Sequence, residues 1–79
     1  MPDADIYERL TEILQDIFEN DEIIATPELQ ARDVEDWDSL GHIRLILAIE
    51  KAFKIKFVAA EVAEVKNVGE LVTLIRRKM

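Results

Sequence analysis

Apolar residues recur every three or four positions over most of this chain, which is the spacing of one face of an α-helix. The first such stretch begins at about Asp3 and ends at about Phe18, and one side of its helix carries Ile6, Leu10, Ile13, Leu14 and Ile17. Asp3 and Asp5 suit the positive N-terminal end of this helix. Asn20 and Asp21 are typical of a helix that has ended.

The periodicity fails between Asn20 and Asp38, where Pro27 interrupts the chain and acidic residues crowd the end of the segment. The segment is nonetheless too apolar for a solvated linker, because it contains Ile23, Ile24, Leu29, Val34 and Trp37. We therefore expect a long ordered loop that these five side chains pin to the core. A loop of this length in a small domain is uncommon and is usually functional.

Three further helices are predicted after the loop, over about residues 39–53, 59–65 and 67–78. The first of them starts at Ser39, a favoured N-cap residue. The last opens at Asn67, which has capping-box spacing with Glu70. The pattern predicts an all-α fold, a four-helix bundle with a long ordered loop between helices 1 and 2 and a short third helix.

The second helix has more apolar surface than a monomer needs to bury. With about 100° of rotation per residue, the side expected to face the core carries Leu45, Ile46, Ile49 and Phe53. The opposite side carries a second stripe made of Leu40, Ile43 and Leu47, together with Arg44 and Lys51. The long loop covers this second stripe, or the stripe contacts a partner protein.

Composition narrows the class of protein. A length of 79 residues allows one domain, 1–79, and 49% hydrophobic with 34% charged residues is a globular composition. The chain has no cysteine, so disulfides and thiolate metal sites are excluded, and no other metal site is expected. No apolar run approaches the roughly 18 residues that cross a bilayer. We expect a cytoplasmic monomer with no membrane insertion.

Charge is unevenly placed along the chain. Residues 1–38 hold 13 acids and two bases, whereas residues 39–79 hold four acids and eight bases. The two parts thus carry −11 and +4, within a net charge of −7 that argues against binding of nucleic acid. A partner surface of mixed sign is expected.

Residues 36–42 place a hydroxyl beside carboxylates at a helix start. A calcium loop fails here, because Asp38 stands where it needs a turn glycine and Arg44 where it needs a bidentate Glu. A hydrolase built on Ser39 and His42 lacks the Gly-x-Ser-x-Gly elbow and has little room for a substrate cleft. Two interpretations of Ser39 remain. It caps the helix, which is the simpler one, or it carries a phosphodiester, since helix N-termini favour anions.

Trp37 and His42 each have a structural and a functional interpretation. His42 could flank a phosphate and respond to pH, although a solvated side chain in the first turn is the more common case. Trp37 could pack on an attached group, but anchoring the loop to the core is the favoured interpretation.

The motif Asp38-Ser39-Leu40, which opens an apolar helix after a long loop in an acidic chain of this length, resembles the acyl carrier protein family. The resemblance covers nearly the whole chain. It implies a carrier rather than an enzyme, in which Ser39 bears 4′-phosphopantetheine derived from coenzyme A. A phosphopantetheinyl transferase would attach this arm, with Asp38 helping to place the metal of the transferase and Leu40 completing the motif. Acyl-loading and acyl-transferring enzymes would then use the thiol of the arm.

The resemblance also assigns roles to both sides of the second helix. Its implied partner-binding residues are Leu40, Ile43 and Leu47, and we expect Arg44, which lies on the same side of the helix, to contact the partner as well. Its implied core and acyl-pocket residues are Leu45, Ile46, Ile49, Phe53, Val65, Val68 and Leu71. Plain packing would account for most of the role of this second group.

The chain also departs from the family pattern. Members that serve fatty acid synthesis carry acids along the second helix and meet basic patches on their partners, whereas Gly41, His42 and Arg44 stand here. The sequence Val58-Ala59-Ala60 replaces the usual Pro-acid-acid opening of the third helix. We therefore expect a specialised carrier for a lipid, polyketide or cell-surface product. The alternative is a small helical protein–protein adaptor without a prosthetic group.

Overall fold

The computed structural model describes residues 2–79, so Met1 of the predicted 1–79 domain lies outside the described residues. It contains helices α1 (Asp3–Ile17), α2 (Ser39–Phe53), α3 (Ala59–Ala63) and α4 (Val68–Lys78), and one 3-10 turn at Ala31–Asp33. Residues 2–79 contain no strand, and the predicted all-α fold with four helices is confirmed. No helix in this part of the chain has the length and apolar content to cross a membrane.

Three helix ends differ from the sequence prediction, the first being that α4 begins at Val68, with Asn67 as its N-cap. Phe18 is the C-cap of α1 rather than its last residue, and α3 ends at Ala63 instead of Val65. The Val65 N–H bonds to the carbonyl of Val62 three residues earlier, so the chain tightens and turns toward α4.

One hydrophobic core joins α1, α2 and α4. The predicted stripe of α1 supplies three buried side chains, Ile6, Leu10 and Leu14, while Ile13 and Ile17 are partly buried at its edge. Leu45 and Ile49 of α2 meet them from one side, and Val68, Leu71 and Ile75 of α4 from another. Full burial of such a side chain stabilises a fold by about 1.5–3 kcal/mol, so this face of α2 is committed to packing.

The long loop is ordered by both apolar and polar contacts with α1. Ile23, Val34 and Trp37 are buried as predicted, and Leu29 is partly buried. The prediction for Ile24 is wrong, because it is 65% exposed. Burial alternates here, so Ile23 and Ala25 face the core and the residue between them faces solvent.

Side chains of α1 fix the backbone of this segment. The Gln15 amide donates to the carbonyl of Ile23 at 2.9 Å, and the Thr11 hydroxyl accepts from the Ala25 N–H at 2.9 Å. Further along, the carbonyl of Leu29 accepts from the Val68 N–H at 2.9 Å. The loop therefore holds the N-terminus of α4 as well as the end of α1.

The N-terminus of α4 has the predicted cap. The Glu70 N–H donates to Asn67 Oδ1 at 2.9 Å, while the Glu70 carboxylate accepts from the N–H of Lys66. The hydrogen bond that the Glu70 side chain accepts therefore comes from Lys66, one residue before the N-cap, and not from Asn67 itself. At the other end of α4, Arg76 pairs with Asp3 of α1 at 3.4 Å.

Candidate functional site

Asp38, and not Ser39, is the N-cap of α2. Its Oδ1 accepts a hydrogen bond from the Gly41 N–H at 2.8 Å, and its backbone carbonyl accepts one from the His42 N–H at 2.8 Å. The prediction that Ser39 caps the helix is therefore wrong, since Asp is as good an N-cap as Ser and stands one residue earlier. Ser39 is the first helical residue and is exposed to solvent. Its hydroxyl is not committed to holding the first turn.

Gly41 sets how closely the loop approaches the start of α2. An added Cβ would overlap the carbonyl oxygen of Asp36 and would lie 3.0 Å from the ring of Phe18. Trp37 stacks on the same Phe18 ring, with 5.9 Å between ring centroids. The end of α1, the end of the loop and the first turn of α2 thus form one packed junction directly beneath Ser39.

Trp37 and His42 belong to this junction. Trp37 is 7% exposed, which confirms that it anchors the loop to the core. Its indole N–H donates to Nδ1 of His42 at 3.0 Å, and Nε2 of His42 lies 3.1 Å from the carbonyl oxygen of Val62 in α3. The expectation that His42 is a solvated side chain of the first turn is therefore wrong, because both of its ring nitrogens form hydrogen bonds within the fold.

The second stripe of α2 faces solvent. Leu40, Ile43 and Leu47 are 66%, 56% and 59% exposed, and Arg44 and Lys51 beside them are also exposed. The alternative in which the long loop covers this stripe is wrong. Three neighbouring exposed apolar side chains next to Ser39 form a surface suited to contact with another protein.

The residues assigned to a core and acyl pocket belong to the hydrophobic core or pack at its edge. Six of the seven are buried, namely Leu45, Ile46, Ile49, Phe53, Val68 and Leu71. Val65 is only partly buried at the edge of the core. It also lines a depression of about 340 Å³ between α3 and α4, together with Leu74. The depression therefore adjoins the predicted set at Val65.

Two polar contacts fasten α3 beside this depression. One is the bond between His42 and the Val62 carbonyl, and the other is an ion pair of 2.9 Å between Glu61 and Lys78 of α4. The hydrogen bond from Lys78, together with the one from the Val58 N–H, holds the pKa of Glu61 below its ordinary value. No residue of α3 is fully buried.

The surroundings of Ser39 are negative. A cavity of about 300 Å³ at the start of α2 has four carboxylates in its wall, those of Asp16, Glu19, Asp36 and Asp38, and a single base, Arg44. Carboxylate oxygens attract hard divalent cations. The four carboxylates therefore repel a phosphate-bearing donor, and such a cation or a basic protein surface would offset this repulsion.

Ser39 itself fits a phosphate-linked group. It is exposed at the first position of a 15-residue helix, where backbone N–H groups lack intrahelical acceptors and the helix dipole favours an anion. A primary hydroxyl in this place can act as the nucleophile toward an activated phosphate.

Sequence reasoning missed the contacts made by backbone atoms. The carbonyl of Val62 as acceptor for His42 left no signal in the side-chain pattern. The capping role of Asp38 did leave one, because Asp is as favoured an N-cap residue as Ser and stands directly before Ser39. Glu50 was also missed: its carboxylate accepts from the Phe57 N–H at 2.8 Å and so closes the turn after α2.

Comparison with known proteins gives two findings. The family model described as "Phosphopantetheine attachment site" matches residues 8–75, from within α1 to within α4. Among solved structures, a holo acyl carrier protein from Geobacter metallireducens, determined by solution NMR, superposes with a TM-score of 0.86 at 42% sequence identity. That similarity covers 91% of this chain and 83% of the Geobacter chain.

Proposed function

This chain belongs to the acyl carrier protein family, and from that premise we propose that Ser39 is the residue that bears its arm. The protein is a carrier and not an enzyme, and its cofactor is covalent 4′-phosphopantetheine. When bound, this group supplies a thiol that holds acyl cargo as a thioester. The observation that carries the assignment is that Ser39 is exposed at the first position of α2 while Asp38 provides the cap.

The hydroxyl groups of two of the three threonines, Thr11 and Thr73, support the choice of Ser39. It is the only serine in the chain. Thr11 donates to the carbonyl of Tyr7 and accepts from the Ala25 N–H, so its hydroxyl is occupied inside the fold. Thr73 donates to the carbonyl of Gly69 one turn earlier. Neither threonine stands at a helix start.

Asp38 would serve loading in two ways. Its Oδ1 holds the first turn of α2, so the backbone beside Ser39 is already in place before the transferase binds. Its charge, with that of Asp36 in the same cavity wall, attracts the metal ion of a phosphopantetheinyl transferase to the reacting hydroxyl. The oxygen of Ser39 would attack the phosphorus of coenzyme A that carries pantetheine, the pyrophosphate bond would break so that adenosine 3′,5′-bisphosphate leaves, and the proton of the hydroxyl would pass to a base of the transferase.

Intact-mass measurement after incubation with coenzyme A, Mg²⁺ and a broad-specificity transferase tests the assignment. Wild type should gain one phosphopantetheine, and Ser39→Ala should gain none while keeping its fold. An arm on Thr11, Thr26 or Thr73 would move the site. The adaptor alternative requires that wild type gain nothing, and membership of a family that carries this cofactor speaks against it.

The exposed stripe would be the surface that meets the enzymes. Leu40 follows Ser39 directly, and Ile43 and Leu47 continue along the same side of α2. These three side chains can enter apolar depressions on a transferase or an acyl-handling enzyme while Ser39 lies at the opening of the active site.

For a sheltered acyl chain we propose entry at Val65, the partly buried member of the predicted pocket. Its position at the edge of the α3–α4 depression supports this route. The chain would reach the neighbourhood of Val68 and Leu71 by displacing α3. Comparison of NMR spectra of the holo and octanoyl forms should show the largest changes at Val65, and a lack of any change there contradicts the proposal.

A specialised pathway is supported by the charge of α2 and α3. Arg44 is exposed beside the stripe, and Ala59 and Ala60 open α3 where acids are usual in carriers of fatty acid synthesis. A fatty acid ketosynthase with a basic surface should therefore turn over the loaded protein slowly. Turnover equal to that of a housekeeping carrier in the same assay would contradict a specialised role.

A further inference from the structure

The solvent-exposed side of α2 is a mixed row of apolar and basic side chains. Leu40, Arg44, Leu47 and Lys51 follow one another at intervals of four, three and four residues, so they lie along one side of the helix. All four are exposed. We call these four residues the docking row. It begins one residue after Ser39 and extends into the last turn of α2.

The two bases of the docking row have no acidic neighbour on the helix. The positions three and four residues from Arg44 and Lys51 hold no acid, although this is the spacing of intrahelical ion pairs. The one acid within α2, Glu50, is engaged by the Phe57 N–H. The ion pairs found among residues 2–79 both involve bases of α4. Neither base of the docking row is therefore in an ion pair among residues 2–79, although Arg44 shares the wall of the cavity at the start of α2 with four carboxylates and Lys51 does not.

Charge changes sign along this surface. Asp36 and Asp38 lie at its Ser39 end, whereas Lys51, Lys54 and Lys56 lie at its far end and are exposed. At about 1.5 Å of rise per residue, Arg44 and Lys51 are roughly 10 Å apart along the axis. A complementary partner is therefore cationic where it receives Ser39 and anionic farther along α2.

We propose that the enzymes that take cargo from this carrier meet the docking row with an apolar patch rimmed by carboxylates about 10 Å apart. This inference rests on the proposed carrier function. A basic rim would repel Arg44 and Lys51, whereas an acidic rim attracts both bases. This attraction speeds association at low salt. The sign of the charge on this rim thus determines which enzymes, among those that accept an acyl thioester, bind the carrier well.

The probe is a fatty acid ketosynthase in two forms, one with its basic rim and one with the rim bases replaced by glutamate. Binding of each form to the isotope-labelled holo protein is followed by NMR titration. At about 20 mM salt, wild type should bind the acidic-rimmed form on the order of tenfold more tightly, and the ratio should shrink at about 200 mM salt.

Variants of the carrier assign the effect to the docking row. Arg44→Glu with Lys51→Glu should reverse the preference, and Arg44→Gln with Lys51→Gln should abolish it. Arg32→Glu with Lys66→Glu is the matched control, because it changes the net charge equally at exposed positions outside α2. This control should keep the wild-type preference.

Equal or tighter binding of wild type to the basic-rimmed form would overturn the proposal, and so would the absence of binding to both forms. A control pair that reverses the preference as strongly as the Arg44 and Lys51 pair would reduce the effect to net charge and overturn it as well. Failure of the carrier function is seen separately, as a protein that gains no mass from coenzyme A and the transferase.

Discussion

The indole N–H of Trp37 donates to Nδ1 of His42 across 3.0 Å, and this bond decides the state of the imidazole. An indole nitrogen can only donate, so Nδ1 must be the accepting nitrogen and the proton of the neutral ring lies on Nε2. From there it is donated to the carbonyl oxygen of Val62 at 3.1 Å. One ring therefore joins the long loop, α2 and α3, and it does so only when neutral, because an imidazolium ion has no lone pair to accept with.

His42→Ala should destabilise the protein by about 1–3 kcal/mol, because it leaves the buried Trp37 N–H without its acceptor. For a domain of this size each kcal/mol corresponds to a fall of roughly 4–8 °C in Tm, measurable by circular dichroism. Trp37→Phe removes the donor while keeping an aromatic ring, so the two substitutions form a double-mutant cycle. Coupling near zero between them would show that the hydrogen bond does not contribute to stability.

Asp38→Ala and Ser39→Ala should differ in stability although they are adjacent. Asp38→Ala removes the cap and should cost about 0.5–2 kcal/mol, whereas Ser39→Ala should melt near wild type. Asp38→Asn keeps a good capping side chain without the charge, so it should keep its Tm but accept phosphopantetheine slowly. Loading of Asp38→Asn at the wild-type rate would show that this carboxylate matters for the helix alone.

Leu47→Ala and Ile49→Ala should have opposite profiles. Ile49 is fully buried, and truncation of such a residue typically costs 2–5 kcal/mol. Leu47 is 59% exposed, so its truncation should change stability by about 0.5 kcal/mol or less. In a transferase assay the order reverses at temperatures where both variants are folded, because Leu47 is on the docking row. Normal loading and acyl transfer by Leu47→Ala would remove that row from partner contact.

The Glu61–Lys78 ion pair should weaken at acidic pH. Since the pKa of Glu61 is lowered in the folded chain, the pair stabilises the fold above the ordinary carboxyl range, and this contribution is lost as pH falls through the lowered value. Lys78→Met should raise the pKa of Glu61, measured by carbon-13 NMR of its carboxyl group. Arg77→Met is the control and should shift it less, because Arg77 acts only through its charge. An unchanged pKa in Lys78→Met would contradict the role of the pair.

Periodicity predicted the helices and the two sides of α2 well, because the burial of Leu45 and Ile49 and the exposure of Leu40 and Leu47 follow from 3.6 residues per turn. It failed where neighbouring residues compete for one role. Asp38 and Ser39 are both strong N-caps, and only the backbone path decides which of them is non-helical.

The contact of His42 was not predicted, because it depends on tertiary structure. The place of His42 in the first turn of α2 predicts a solvated side chain, yet its ring bonds to a carbonyl 20 residues later in the chain. Backbone acceptors have no sequence signature, so no spacing of side chains could have predicted Val62 as a partner. The prediction that Ile24 is buried failed for a local reason. Burial alternates over only three residues here, and so short a pattern cannot be distinguished in the sequence from a fully buried run.

Helix α3 makes few contacts with the rest of the protein, so it is less stable than the core formed by α1, α2 and α4. The helix has no fully buried residue, and besides the partial packing of Val62 it is held by the bond to His42 and the ion pair with Lys78. An opening that releases α3 breaks these contacts and leaves the core of α1, α2 and α4 intact. Amide protons of α3 should therefore exchange with solvent through a local opening of much smaller free energy than global unfolding. Uptake and release of an acyl chain beneath α3 would require only this local opening, so neither step needs to disturb the core of α1, α2 and α4.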